Sequence, residues 1–110
     1  MSSNQPYSEQ YRLLAEDWVD KDAAARLYDE TKSAELERRK MALIREAGEM
    51  ADNRAERLVK ASDEWMEYIL KVVQSKTAAN KARVALKVCE MRYYELQAAN
   101  ATARAEMRMG

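Results

Sequence analysis

No histidine and no phenylalanine occur in this chain of 110 residues, which has one cysteine, one proline and two glycines. Each shortage excludes something. Without histidine the chain lacks the commonest general base at neutral pH and the commonest metal ligand. The Glu-x-x-His pairs of di-metal helical bundles therefore cannot be built. A lone Cys89 excludes a disulfide scaffold. The few glycines and the single proline cannot supply the turns of a β-sandwich or barrel. Charge of one sign is missing too: nineteen Lys and Arg balance nineteen Asp and Glu. A general nucleic-acid binder needs local excess cation, so neutrality counts against one. No apolar run approaches the roughly 18 residues of a membrane span, and no signal-peptide core follows Met1. Nor is there a glycine-rich phosphate loop or a nucleophile elbow. The expectation is a non-enzymatic protein with no cofactor, no metal and no membrane partner, placed in the cytoplasm.

What is present is helix-forming. From Ser8 to Ala47 no glycine or proline interrupts a stretch rich in Ala, Leu, Glu, Lys and Arg, whose summed propensity favours one long helix. Residues 1–7 read as a disordered tail, with Pro6 suited to a first helical turn and Glu9 to the positive end of the helix dipole. Gly48 offers the αL residue that commonly follows a helix end. Asp52 is a candidate N-cap for a short connector helix over 52–60, and Ser62 a better one for the helix that follows. Asp63 and Glu64 occupy the first turn of that helix, and Ala61 and Met66 its staple positions. The chain thus reads as all-α, one domain over 8–110, with helices at about 8–47, 52–60 and 62–107. Short loops fold the long helices, roughly 60 and 70 Å at 1.5 Å per residue, into an antiparallel hairpin.

Stepping alternately by three and four from Trp65 gives Tyr68, Val72, Ser75, Ala79, Ala82, Leu86, Cys89, Tyr93, Leu96, Asn100, Ala103 and Met107. Eleven of these thirteen positions are apolar, and a 3.5-residue repeat held over six heptads is a coiled-coil seam. Small residues in its middle permit close approach. Cys89 on this line reads as a small buried hydrophobe. Asn100, polar in an apolar row, is a candidate for fixing register, or it lies at a fraying end. The first helix follows the seam less cleanly: Tyr7, Tyr11, Leu14, Trp18, Ala25 and Tyr28 keep the spacing, Lys21 breaks it, and Leu36, Leu43, Ala47 and Met50 follow a shifted phase.

The far side of the last helix should be polar if a hairpin were the whole assembly. Instead Met66, Leu70, Val73, Val84, Val88 and Met91 form a second apolar stripe. A helix apolar on two sides must be covered on two sides. The connector can shield Leu70 and Val73 but not Met91, and an exposed stripe marks an interface. This predicts a homodimer, two hairpins closing into a four-helix bundle, with Leu70, Val73, Val84, Val88 and Met91 at the dimer or partner interface. The competing possibility is that the first helix kinks and hides both stripes within one chain.

Charge is unevenly placed. Residues 1–30 carry seven acids and three bases, net −4, and residues 71–92 six bases and one acid, net +5. In an antiparallel hairpin these stretches lie partly alongside each other, so cross-helix pairing is the simple explanation. The alternative is a phosphate-binding face of Lys76, Lys81, Arg83 and Lys87, with Tyr94 as a stacking ring. The acidic clusters at 17–30 and 63–67 are explained by capping and solvation rather than by a Mg²⁺ site. The acidic start also allows a DNA-mimicking inhibitor, which neutral net charge opposes.

The runs Lys60-Ala61-Ser62-Asp63-Glu64-Trp65, Thr77-Ala78-Ala79-Asn80-Lys81, Met91-Arg92-Tyr93-Tyr94 and Ala103-Arg104-Ala105-Glu106-Met107-Arg108 resemble a group of small phage and prophage proteins from proteobacteria. Ala23-Ala24-Ala25 and Glu30-Thr31-Lys32-Ser33 extend the likeness over most of residues 8–109. The resemblance implies an early-region accessory factor encoded near homologous-recombination functions, in the host cytoplasm. It brings no catalytic residues. Two functions follow as expectations: an adaptor or inhibitor that presents a helical surface to a protein partner, or a nucleic-acid-binding accessory factor in recombination.

Overall fold

In a computed structural model, which describes residues 5–109, the chain forms α1 (Tyr7–Ala47), α2 (Asp52–Lys60) and α3 (Asp63–Met109). No strand occurs among these residues. The long helices run antiparallel as a hairpin and α2 leans mainly on α1. The result is a rod of 87 × 19 × 18 Å. Residues 1–4 of the expected tail lie outside the described residues. Tyr7, also assigned to that tail, is helical and meets Tyr93 edge-on at 5.9 Å between ring centres.

Local chemistry sets the breaks. Pro6 precedes the first turn of α1, and its carbonyl accepts the N–H groups of Glu9 and Gln10, both at 3.0 Å. Gly48 ends α1 with φ +81°, a conformation that a side chain penalises, although its ψ of −41° differs from the αL value expected. Ser62 caps α3 as expected: its Oγ accepts the Trp65 N–H at 3.2 Å and donates to the Val59 carbonyl at 2.6 Å. The expectation for Asp52 needs correcting. Ala51 is the N-cap of α2, with no side-chain cap bond, and Asp52 is its first helical residue. Asp52 is drawn instead to the buried Lys40, whose Nζ donates to Asp52 Oδ2 and Glu37 Oε1, both at 2.9 Å. Both carboxylates hold the Lys40 ammonium above its ordinary pKa, Asp52 foremost. This ionic clamp and the burial of Ala55 and Val59 hold α2 on the hairpin.

The core is thin. Ala25, Ala55, Val59, Trp65, Val72, Ala79, Ala82 and Cys89 are the buried apolar residues, and no large side chain is fully enclosed. The small residues Ala25, Ala79 and Ala82 lie where the seam was expected to narrow. Toward the turn the seam fills with rings. Trp65 stacks on Tyr68 at 5.3 Å, and Tyr28 meets Tyr68 edge-on at 6.1 Å. Arg39 lies 5.8 Å from the Trp65 ring centre and 5.5 Å from that of Tyr68, a cation–π arrangement. Glu35 holds Arg39 there at 2.8 Å and also binds Arg38, and these bonds keep the Glu35 carboxyl below the usual range. The described residues expose 8623 Å², about 2,400 Å² more than a compact fold of this mass presents. Two helices alone cannot enclose their own apolar surface.

Candidate interaction surface

Adjacent residues of α3 fall on opposite sides of it. Val72 is 4% exposed in the seam, whereas Val73 is 53% exposed. The whole second stripe behaves like Val73: Met66, Leu70, Val73, Val84, Val88 and Met91 are between 39% and 61% exposed. α1 does not kink around to hide it, and α2 shields neither Leu70 nor Val73. The stripe lies on the side of α3 away from α1. A second hairpin seated on it therefore extends a layer of helices rather than closing a square bundle.

The seam stops earlier than its heptads do. Burial along it ends at Cys89, and the α1 terminus reaches Tyr93. Beyond that level no other described helix accompanies α3, and Leu96, Asn100, Ala103 and Met107 are all exposed. Among the described residues no helix stands opposite Asn100, which gives it no register to set within the described hairpin. Among the described residues its side chain makes no hydrogen bond, and its carbonyl accepts from Arg104 Nε at 3.4 Å. Cys89 is buried, in agreement with its place on the seam.

Cross-helix pairing of the two charged halves is almost absent. Lys76 reaches Asp29 at 2.9 Å, which lowers the Asp29 pKa from its ordinary value. The other acids of α1 that form ion pairs do so within their own helix: Arg12 holds Glu9 and Glu16, Lys21 holds Asp17, and Arg26 holds Asp22. Partners one turn away on the same helix need no further ordering of the chain, so they win. Among the described residues Lys71, Lys81, Arg83, Lys87 and Arg92 form no ion pair. Of the four phosphate-binding candidates, Lys76 is committed to Asp29. Arg83 and Lys87 come together in an open groove of about 540 Å³ with Trp18, Val84 and Glu90, and Lys81 stands exposed outside it. The ring beside these cations is Trp18, not Tyr94, which stands with Tyr93 farther along α3. Counting the antiparallel register from the turn could have located it.

Among the described residues no group of His, Cys, Asp or Glu could hold a metal ion, and no helix is long and apolar enough to cross a membrane. Compared with protein-family models, curated proteins and solved structures, the chain gives no match.

Proposed function

We propose that this protein is a non-enzymatic adaptor or inhibitor that presents the outer face of α3 to a helix of another protein chain. One observation carries this reading: six large apolar side chains stand exposed along one face of a single helix, and none of the described residues covers them. Isolated exposed apolar residues are ordinary, but a row of them, here in two halves with Thr77 between, marks an interaction site. Residues at i, i+4 and i+7, as in Met66, Leu70 and Val73, are the anchors by which helices recognise one another. The resemblance to phage accessory proteins fits such a role. The test is the pair Val84→Glu and Met91→Glu in one variant. It is expected to keep its helix content and to lose the protein partners that the wild type retains when purified from its own cells. A variant that unfolds would place the stripe in a core, and one that keeps every partner would contradict the proposal.

A second reading has its own observation. Lys81, Arg83 and Lys87 carry no ion pair, and Trp18 edges the groove that holds two of them, so a single nucleic-acid strand has cations and a stacking ring available. Under this reading, affinity for an oligonucleotide falls linearly in log salt. No binding at low salt removes it.

A further inference from the structure

We infer that the groove between Trp18 of α1 and residues 80–90 of α3 is a site for one nucleotide unit, with the base on the indole, its amino edge at Glu90 and its phosphate on Arg83 and Lys87. This deepens the nucleic-acid reading above, on which it rests, by giving the groove a base preference.

Four polar side chains of α3 line the groove: Asn80, Arg83, Lys87 and Glu90. Their helical positions fall within about a quarter of the circumference, so they share one flank. At 1.5 Å per residue Arg83 and Lys87 stand about 6 Å apart along the axis, and Glu90 about 10 Å from Arg83. Trp18 and Leu86 complete the groove from the seam side, and both are half-buried. The indole is thus held by the hairpin and still lines an open hollow of about 540 Å³.

The charges set this groove apart. Arg12, Lys21, Arg26, Arg39 and Lys60 each bind an acid one turn away on their own helix. Lys87 and Glu90 are also one turn apart, yet among the described residues neither forms an ion pair, and nor does Arg83. Arg83 and Lys87 are like charges at i and i+4, an arrangement that repels until an anion sits between them. The acids of α1 next along the groove are already held, Asp22 by Arg26 and Asp29 by Lys76. What remains is a pair of cations, a ring, and a half-buried carboxylate with no donor.

That set selects its ligand. A guanidinium and an ammonium one turn apart suit a phosphate, and an indole suits a base. Glu90 accepts N–H groups and repels a second anion, so the phosphate lies toward Arg83 and the base edge toward Glu90. Cytosine, adenine and guanine carry an exocyclic amino group to donate there. Thymine and uracil carry none, and their one ring N–H lies between two carbonyl oxygens that a carboxylate repels.

Tryptophan emission reads the site, because the other indole, Trp65, is 6% exposed in the seam. The full chain is titrated at neutral pH and low salt with short DNA strands of cytosine alone or thymine alone, and with free dCMP. The cytosine strand is expected to change the Trp18 emission and to bind about tenfold tighter than the thymine strand, the discrimination of one charge-assisted hydrogen bond. Glu90→Gln should bring that ratio near one, because an amide both donates and accepts. Lys87→Ala should weaken both strands by the same factor, and Trp18→Phe should abolish the emission change. The same emission change with free dCMP identifies a free nucleotide as ligand, and a change with the strand alone identifies a single strand; either supports the inference. A thymine strand that binds as tightly as cytosine, or binding that leaves the Trp18 emission unchanged, overturns the inference and leaves the nucleic-acid reading standing. No binding of strand or mononucleotide overturns both.

Discussion

Val72 and Val73 are neighbours in sequence, identical in chemistry and opposite in placement, which makes them an internal control. Truncating either to Ala removes two methyl groups. In the seam, where Val72 is 4% exposed, that loses about 1.6 kcal/mol of burial at roughly 0.8 kcal/mol per group. A residual cavity adds to the loss, and the better helix propensity of Ala returns about 0.5 kcal/mol. The net cost for Val72→Ala is therefore about 1 to 2 kcal/mol, or a fall of roughly 4 to 8 °C in Tm for a chain of this size. Val73 is 53% exposed, so half the burial is lost and the propensity gain nearly cancels it, which leaves a few tenths of a kcal/mol. Urea and thermal unfolding followed by circular dichroism at low micromolar concentration resolve that difference. Under the proposed docking role Val73→Ala weakens partner binding while Val72→Ala leaves it unchanged. Equal costs for the two substitutions in dilute solution would refute the assignment of Val73 to an uncovered face.

Other consequences are local. Ser62→Ala removes the acceptor of the Trp65 N–H and should cost about 1 kcal/mol in unfolding experiments, whereas Ser62→Asp should restore it. Gly48→Ala meets no atom within 4 Å, yet the positive φ alone should cost about 1 kcal/mol. The pH profile of Tm should fall on both sides of a plateau. The Glu35 carboxyl is held down by Arg38 and Arg39, so its contribution is present above the ordinary carboxyl pKa and is lost as pH falls through the lowered folded value. The Lys40 ammonium is held up by Asp52 and Glu37, so its contribution is complete below the ordinary lysine pKa and is lost as pH rises through the raised one. Glu35→Gln should flatten the acid limb and Lys40→Met the alkaline limb.

Much of the architecture was legible because it is written in local chemistry. Gly48 and Ser62 mark breaks by what their own backbone and hydroxyl can do, so the helix limits fall within two residues of those expected. The 3.5-residue spacing through Trp65, Val72, Ala79, Ala82 and Cys89 located the buried face without knowledge of its partner. What was not legible depends on the other helix. Leu96 and Asn100 carry the seam pattern onward, but nothing in α3 records that α1 has run out at Tyr93. The choice of Asp52 for Lys40 rather than for its own helix N-terminus needs two segments brought together. The same holds for Arg39 on the rings of Trp65 and Tyr68. The cross-helix ion pairs failed for a local reason: Arg12, Lys21 and Arg26 each had an acid one turn away. Of the candidate surface, the stripe was readable in full and the cations in part.

The methionines test the central claim without any substitution, since Met66 and Met91 stand on the stripe and Met107 lies on α3 beyond the hairpin, 81% exposed. Oxidative footprinting read by mass spectrometry across a concentration series compares them in one experiment. At the lowest concentration Met66 and Met91 should oxidise at rates near that of Met107. Protection of Met66 and Met91 at the lowest concentration would mean that the chain covers its own stripe, and would contradict the account.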